Sequence, residues 1–260
     1  MRAIDTAMSD LTLKEFAPSG EHESANKFGR LISDIEVALH EIIGHGSGKL
    51  SEKLKGKDPA VYLKEYTNAL EECRAELVML HHIWDPRMHE IEPRCTEECA
   101  TAAYQSYARQ DLVQLRRVGG DRIEDDHMRA THLIVQYARH KGGVELQKIK
   151  GKHFQLVTDL AAMRSSVAEL LAEVMRIKAE GDYEAAKALF QTYGMFFEPS
   201  LRDEIRKRAD QIGLPDYYAF VMPELSLVRD EKGRIVDVTL ALGQDFEKQM
   251  STWNRAPLSE

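Results

Sequence analysis

The sequence has no apolar run long enough to cross a membrane and no excess of basic residues. No stretch approaches the roughly 18 apolar residues of a transmembrane helix, and charges occur throughout residues 1–16, so we expect neither a membrane span nor a secretory signal there. Lys and Arg number 35 against 43 Asp and Glu, a formal net charge of −8. Proteins that coat nucleic acid or bind anionic membranes need a basic surface, so both kinds of partner are disfavoured.

Cysteine is also scarce, with Cys73, Cys95 and Cys99 alone in 260 residues. A low, odd number is typical of reduced thiols and predicts a cytoplasmic protein. Cys95 and Cys99 could hold a structural metal with His89, but no second pair completes four ligands. Hydrophobic residues make up 43% and charged residues 30%, the balance of an ordinary globular chain.

The hydrophobic periodicity predicts a mainly α fold with small β hairpins. Helices are predicted over about 33–45, 59–84, 96–117, 121–140, 158–180, 182–193, 199–211 and 243–254. Alternating apolar and polar residues predict hairpins over 144–157 and 225–240. We expect residues 1–30 to form an irregular lead-in and residues 31–260 to form one mainly helical domain.

The first predicted helix carries the motif His40-Glu41-Ile42-Ile43-Gly44-His45. Zinc proteases use H-E-x-x-H, in which two histidines at i and i+4 face one metal and the Glu is the general base. Here the histidines are at i and i+5, and on a regular helix they would point roughly 140° apart. Both can bind one metal only if the helix bulges, which Gly44 makes easier. The spacing leaves a metal site and two incidental histidines as open alternatives.

A third ligand could come from the acidic cluster Glu71-Glu72-Cys73-Arg74-Ala75-Glu76 in the second predicted helix. A catalytic zinc site needs three protein ligands and an open position. Two helices joined by a loop can lie antiparallel and bring this cluster against the histidines. The alternative is a solvated charged face, which is what most runs of this kind are.

Together, HEIIGH at 40–45 and EECRAE at 71–76 resemble the dipeptidyl-peptidase III family of zinc metallopeptidases. That family is marked by H-E-x-x-G-H and, further on, by E-E-C-R-A-E. The resemblance extends from about residue 26 to the end and weakens after residue 140. It implies the helical, zinc-bearing lobe of a two-lobed metallopeptidase that releases dipeptides from the N-terminus of oligopeptides through a zinc-activated water.

The resemblance assigns roles to individual residues. One zinc ion per chain would be held by His40, His45 and Glu72. The general base would be Glu41, which takes a proton from the attacking water. Behind the ligands, Glu71 and Glu76 would support them, since a metal-bound histidine usually donates its other N–H to a carboxylate or carbonyl.

Two further histidines, His127 and His132, lie on the fourth predicted helix. The family has a histidine followed by Met-x-Ala-Arg here. His127 matches that histidine and would be catalytic, donating a hydrogen bond to the oxyanion. The family's Arg corresponds to Thr131, and the neighbouring Arg129 is an open substitute. For His132, an incidental place on a polar helix face is the favoured interpretation.

Basic residues also cluster near the C-terminus, at Arg202, Arg206, Lys207 and Arg208. The family uses basic residues in this region toward the carboxyl end of the peptide. A solvated helix face is the favoured interpretation of the run, and no single residue is assigned.

Members of the family are longer, with a large portion before the H-E-x-x-G-H helix that recognises the free amine of the peptide. This sequence has 39 residues before His40. The competing hypothesis is therefore a zinc-binding module with little peptidase activity by itself, and a third is a helical interaction protein without metal. The expected partners are an oligopeptide substrate and either a separate N-terminal lobe or a second copy of the chain.

Overall fold

A computed structural model describes residues 10–216, 222–241 and 245–255. The chain divides into two compact units, Met1–Leu214 and Pro215–Glu260. Within the described ranges, no helix is both long and apolar enough to cross a membrane.

Helices make up most of the first unit. After a helical segment over residues 10–16, they are α1 (His22–Ala38), α2 (Ala60–Leu63), α3 (Thr67–His82), α4 (Pro86–Ile91), α5 (Glu97–Gln114), α6 (Asp126–His140), α7 (Leu160–Glu180), α8 (Tyr183–Leu189) and α9 (Pro199–Gln211). Two of them run on into π-helical turns, α1 into Leu39–Gly44 and α8 into Phe190–Gly194. Between α6 and α7, β1 (Val144–Ile149) and β2 (Lys152–Val157) pair antiparallel. The predicted mainly α fold with small hairpins is confirmed.

The first helix begins earlier than the sequence analysis expected. Residues 10–16 are helical and α1 starts at His22, so the irregular lead-in expected over 1–30 is largely absent from the described part of that segment. The apolar stripe explains the difference. Phe28 is buried together with Ile32 and Ile35, at spacings of four and three residues, so the buried face extends upstream of the predicted start at residue 33, and α1 begins about three turns before it.

Two other predicted helices are also divided or shortened. The helix expected over 59–84 is broken at Lys64, whose φ of +52° interrupts the helical path between α2 and α3. The helix expected over 121–140 starts only at Asp126. There the Asp125 side chain caps the helix by accepting a hydrogen bond from the Met128 backbone N–H at 2.9 Å.

Helix α3 lies at the centre of the first unit, packed against α6, α7 and the Leu39–Gly44 turn. It is buried on nearly every side, through Leu70, Cys73, Ala75, Leu77, Val78, Met79 and Leu80. Tyr104, Tyr107 and Leu112 are buried in α5. A helix packed on all sides has little freedom to move, so α3 is a rigid platform for the acidic cluster at its first turns.

The second unit contains the other predicted hairpin, β3 (Glu224–Arg229) and β4 (Ile235–Ala241), paired antiparallel. The helix expected over 243–254 corresponds to α10 (Phe246–Arg255), and its expected first residues lie outside the described ranges. The Gln249 side chain of α10 accepts from the Met222 backbone N–H and donates to its carbonyl oxygen, both at 2.8 Å.

Candidate metal centre

The two histidines of the HEIIGH motif are brought together by the π turn Leu39–Gly44. The His45 backbone N–H donates to the His40 carbonyl oxygen at 3.0 Å, a bond five residues back rather than four. This wider turn removes the angular offset that a regular helix would place between the rings. Gly44 lets the turn approach α3, because a Cβ at this position would lie 2.9 Å from the Ala75 Cα.

Three potential ligand atoms converge where the π turn meets α3. The Nε2 atoms of His40 and His45 are 3.1 Å apart, and His40 Nε2 lies 3.2 Å from Glu72 Oε2. The separation between His45 Nε2 and Glu72 Oε2 is 3.9 Å. Ligands at about 2.0–2.1 Å from a tetrahedral ion would be about 3.4 Å apart. The two shorter separations lie near that value, and the separation between His45 Nε2 and Glu72 Oε2 is longer than it, so the three atoms surround a space of the size that one ion needs.

The chemistry of the three groups also fits a cation. Glu72 Oε2 is buried and makes no hydrogen bond. A buried carboxylate oxygen without a partner is costly, and a divalent ion in contact with it would remove that cost. Burial is the main cause that lowers the pKa of His40, with help from the neighbouring His45 ring. A lowered pKa favours the neutral imidazole that metal binding requires.

Glu71 lies directly behind His45, where the sequence analysis expected it. Its Oε1 accepts a hydrogen bond from His45 Nδ1 at 2.9 Å, and its Oε2 accepts one from Arg74 Nε at 3.0 Å. Lys178, on α7, also donates to Oε2. Burial by itself would raise the pKa of Glu71, but the hydrogen bonds from Arg74, His45 and Lys178 outweigh it and lower the pKa to about 2. An ionised acceptor thus faces His45 Nδ1.

Glu76 does not lie beside the histidines, contrary to expectation. One turn beyond Glu72, its side chain enters the core between α5 and α6, where it accepts hydrogen bonds from the Tyr107 hydroxyl and from Thr131 Oγ1. Burial raises the pKa of Glu76 to about 8. The carboxyl group is therefore an internal link between helices, and in the described structure no hydrogen bond joins it to His40.

The two residues expected to be catalytic lie on the open side of the cluster. Glu41 follows His40 on the π turn and is exposed, and its charge acts on the His40 ring. His127, at the start of α6, is 66% exposed, and its Nδ1 lies 3.2 Å from Glu72 Oε2. The fold thus places both beside the potential ligands.

The contacts of several neighbouring residues could not be recognised in the sequence. Lys178 belongs to α7, and nothing in its local sequence links it to the motif helices. Arg129 is held by neighbouring groups, since its Nε donates to the Ile123 carbonyl oxygen at 2.9 Å and its Nη1 lies 3.7 Å from Asp126 Oδ1. His132 is not incidental: it is buried, with Nδ1 2.8 Å from Asp111 Oδ1 and Nε2 3.0 Å from the Phe196 carbonyl oxygen.

The basic run on α9 is not a solvated face. Arg208 is 4% exposed and donates to Glu15 and to the His153 carbonyl oxygen. Arg206 donates to two backbone carbonyl oxygens of the 116–118 segment. These hydrogen bonds from Arg206 and Arg208 hold α9 in place. Within the run, only Lys207 is exposed.

Comparison with solved structures shows the fold that positions this centre. DPP III from Caldithrix abyssi is 22% identical, with a TM-score of 0.60, over 80% of this chain and 37% of its own. Dipeptidyl-peptidase III from Corallococcus sp. strain EGB is 19% identical, with a TM-score of 0.62, over 78% of this chain and 35% of its own. The chain thus spans little more than a third of the length of these two proteins. No curated protein gave a significant match.

The family relationship comes from a sequence model. The model of peptidase family M49 matches residues 54–211, which is more than half of the chain. The matched region contains Glu71, Glu72 and His127, while the HEIIGH motif lies just before it. The chain belongs to peptidase family M49.

Proposed function

We propose that the chain is a zinc-dependent metallopeptidase that releases dipeptides from the N-terminus of oligopeptides. The observation that carries this proposal is the convergence of His40, His45 and Glu72 beside Glu41 in a chain of the M49 family. The names of the two solved relatives support dipeptide release. Two imidazole nitrogens and one carboxylate are a ligand set that suits zinc.

Each side chain has a distinct task in this proposal. His40 and His45 would hold the metal through Nε2, and Glu72 would hold it through Oε2. When bound, zinc lowers the pKa of a water molecule and polarises the peptide carbonyl. The Glu41 carboxylate accepts the proton of the attacking water and passes it to the departing amine nitrogen as the C–N bond breaks.

His127 acts on the substrate carbonyl. Its Nδ1 lies 3.2 Å from Glu72 Oε2, so Nε2 is the ring nitrogen left to face the peptide, and Nε2 donates when the ring carries a proton on both nitrogens. A hydrogen bond from this nitrogen to the carbonyl oxygen strengthens as negative charge develops there. The exposure of His127 and Glu41 leaves the side of the centre that a peptide must approach open.

The test is hydrolysis of a dipeptidyl arylamide with a free α-amine by the zinc-loaded full chain, with Glu41→Gln as the matched variant. We expect one zinc ion per chain in both proteins and arylamine release by the unsubstituted chain alone. Equal hydrolysis by the two proteins, or no stoichiometric zinc, would overturn the proposal.

The second candidate function is a zinc-binding module that needs another lobe for peptidase activity. The two solved relatives are matched over 37% and 35% of their own length. One zinc ion per chain without arylamine release would support this function instead. A separate lobe or a second copy of the chain would then be the partner that completes the substrate cleft.

We also propose a cytoplasmic location. The supporting observation is that Cys73, Cys95 and Cys99 are all free and buried. Unpaired cysteines are typical of a reducing compartment. Fractionation of cells that produce the chain would test this proposal, and recovery outside the cytoplasmic fraction would contradict it.

A further inference from the structure

Lys178 contacts the carboxylate that supports a proposed metal ligand, although it lies 107 residues further along the chain. Its ammonium group on α7 donates to Glu71 Oε2. Glu71 Oε1 in turn accepts the hydrogen bond from His45 Nδ1 at 2.9 Å. Three separate elements, α7, α3 and the end of the π turn, are therefore joined through one carboxyl group.

Both oxygens of Glu71 are fully engaged. Oε1 accepts from His45 and from Arg74, and Oε2 accepts from Arg74 and from Lys178. A carboxylate offers about four acceptor positions, so the group cannot turn without losing a bond. Because Glu71 can only accept, His45 Nδ1 carries the proton, and the lone pair of the ring is left on Nε2.

The two cations on Glu71 differ in what they anchor. Arg74 is fully buried, lies on α3 like Glu71, and also donates to the Ser47 carbonyl oxygen and Oγ, both at 3.0 Å. It therefore ties α3 to the loop after the π turn. Lys178 ties the same carboxylate to α7, and its side chain is 29% exposed. A substitution of Lys178 leaves Arg74 as the cationic partner of Glu71, so we expect the variant to fold.

We propose that Lys178 is a positioning residue that acts through Glu71 to hold the His45 ring with Nδ1 protonated and Nε2 facing the metal position. The consequence for metal binding rests on the proposed function. The orientation of the ring does not, because the contacts that fix it are made by side chains of this chain alone.

A direct charge effect has to be separated from the positioning effect. A lysine near a divalent ion repels it, so removing Lys178 would by itself strengthen metal binding. A double-mutant cycle with Glu71 cancels this contribution, because the repulsion is present in both backgrounds whereas positioning needs the Glu71 carboxylate.

The experiment measures zinc affinity by competition with a chromophoric chelator for the full chain, Lys178→Met, Glu71→Gln and the double variant. We expect Lys178→Met to weaken zinc binding about tenfold when Glu71 is present, and not to weaken it in the Glu71→Gln background. Lys178→Arg should restore most of the affinity. As a matched control, Lys141→Met removes another Lys–Glu pair that involves α7, between Lys141 at the end of α6 and Glu169 of α7 at 2.6 Å, and should leave zinc binding unchanged.

A second measurement needs no metal. Long-range ¹H–¹⁵N spectra of the metal-free proteins, recorded above the pH range in which imidazoles titrate, report which ring nitrogen of His45 is protonated. We expect the Nδ1–H form in the unsubstituted chain and a mixture of both forms in Lys178→Met.

The outcomes distinguish the two proposals. If the unsubstituted chain binds no zinc, the proposed function fails, and the His45 spectrum still decides the role of Lys178. If zinc binds but Lys178→Met leaves the spectrum and the affinity unchanged, or changes the affinity equally in both Glu71 backgrounds, the role of Lys178 is overturned and the proposed function stands.

Discussion

The Nε2 atoms of His40 and His45 lie 3.1 Å apart although the two residues are separated by five positions. The π turn accounts for this, since it adds the one residue by which the motif exceeds the spacing of a regular helical pair. The distortion is stabilised from outside by close contact between Gly44 and Ala75 of α3. The geometry of the candidate ligands therefore depends on a residue that has no side chain.

Gly44→Ala should separate the histidines. The added Cβ would lie 2.9 Å from both Cα and Cβ of Ala75, so the turn must move away from α3. We expect a loss of about 1–3 kcal/mol in the free energy of unfolding and a weaker affinity for zinc. Urea denaturation of the metal-free protein and chelator competition measure the two effects.

Gly29→Ala, on α1, is the matched control. A Cβ at Gly29 meets no atom within 4 Å, and alanine is the better helix former by about 0.5–1 kcal/mol. We expect this variant to gain stability and to keep the zinc affinity of the original chain. Equal behaviour of the two variants would show that the approach of Gly44 to α3 has no special role.

Glu76→Gln should stabilise the metal-free protein more at high pH than at low pH. Burial raises the pKa of Glu76 from 4.5 to about 8. Between these values the unfolded chain has lost the proton and the folded chain keeps it, so stability falls as pH rises. A tenfold difference in proton affinity corresponds to about 1.4 kcal/mol, and we expect the gain from Gln to be larger near pH 8 than near pH 5 by at least about that amount. Urea denaturation at the two pH values measures it, and a constant gain would show that Glu76 is ionised in the fold.

Asp111→Asn should lower the pKa of His132. Burial by itself would lower this pKa, but the Asp111 carboxylate 2.8 Å away outweighs burial and raises it above its ordinary value of 6.5. The stabilisation from this pair is complete below pH 6.5 and is lost as pH rises through the folded-state pKa. NMR titration of the His132 ring in both proteins measures the shift. The same pKa in the variant would mean that the Phe196 carbonyl, not Asp111, holds the proton.

Arg208→Leu should destabilise the first unit by about 3 kcal/mol. The guanidinium group is buried, donates to Glu15 Oε1 at 2.8 Å and lies 4.4 Å from the centre of the Phe16 ring. Its loss would leave a largely buried carboxylate with one partner fewer. Lys207→Leu, at the exposed neighbouring position, should change the free energy of unfolding by less than about 0.5 kcal/mol. Thermal or urea unfolding compares the two, and similar losses would argue against a buried ion pair.

The sequence carries strong information about elements whose stabilising residues are close together. The hairpin Val144–Val157 was predictable because its turn and its alternating residues lie within one short segment. The π turn was predictable on one condition. If His40 and His45 face the same metal, their spacing of five residues requires a bulge in the helix. The role of Glu71 came from the resemblance to the dipeptidyl-peptidase III family, not from the spacing.

Contacts between distant segments could not be predicted. Lys178 and Glu71 meet only because α7 packs on α3, and no local pattern encodes that packing. The contacts of Glu76 differ from the expected ones for the same reason. Its spacing from Glu72 predicts that both residues share one face of the helix, but the spacing does not show which neighbouring helices cover Glu76. His132 was misjudged for a related reason, since its partner Asp111 lies on another helix and an isolated histidine carries no sign of it.

The candidate ligands all come from a short stretch of chain, because Glu72 follows His40 by only 32 positions. An ion held by these residues closes a loop of that length, and the entropy lost on closing a loop grows only slowly with its size. The contacts among the three ligands thus span at most 32 positions, against 107 between Lys178 and Glu71, and contacts over smaller separations form faster. The metal pocket can assemble early in folding, before the distant strand and helix pairings around it are complete.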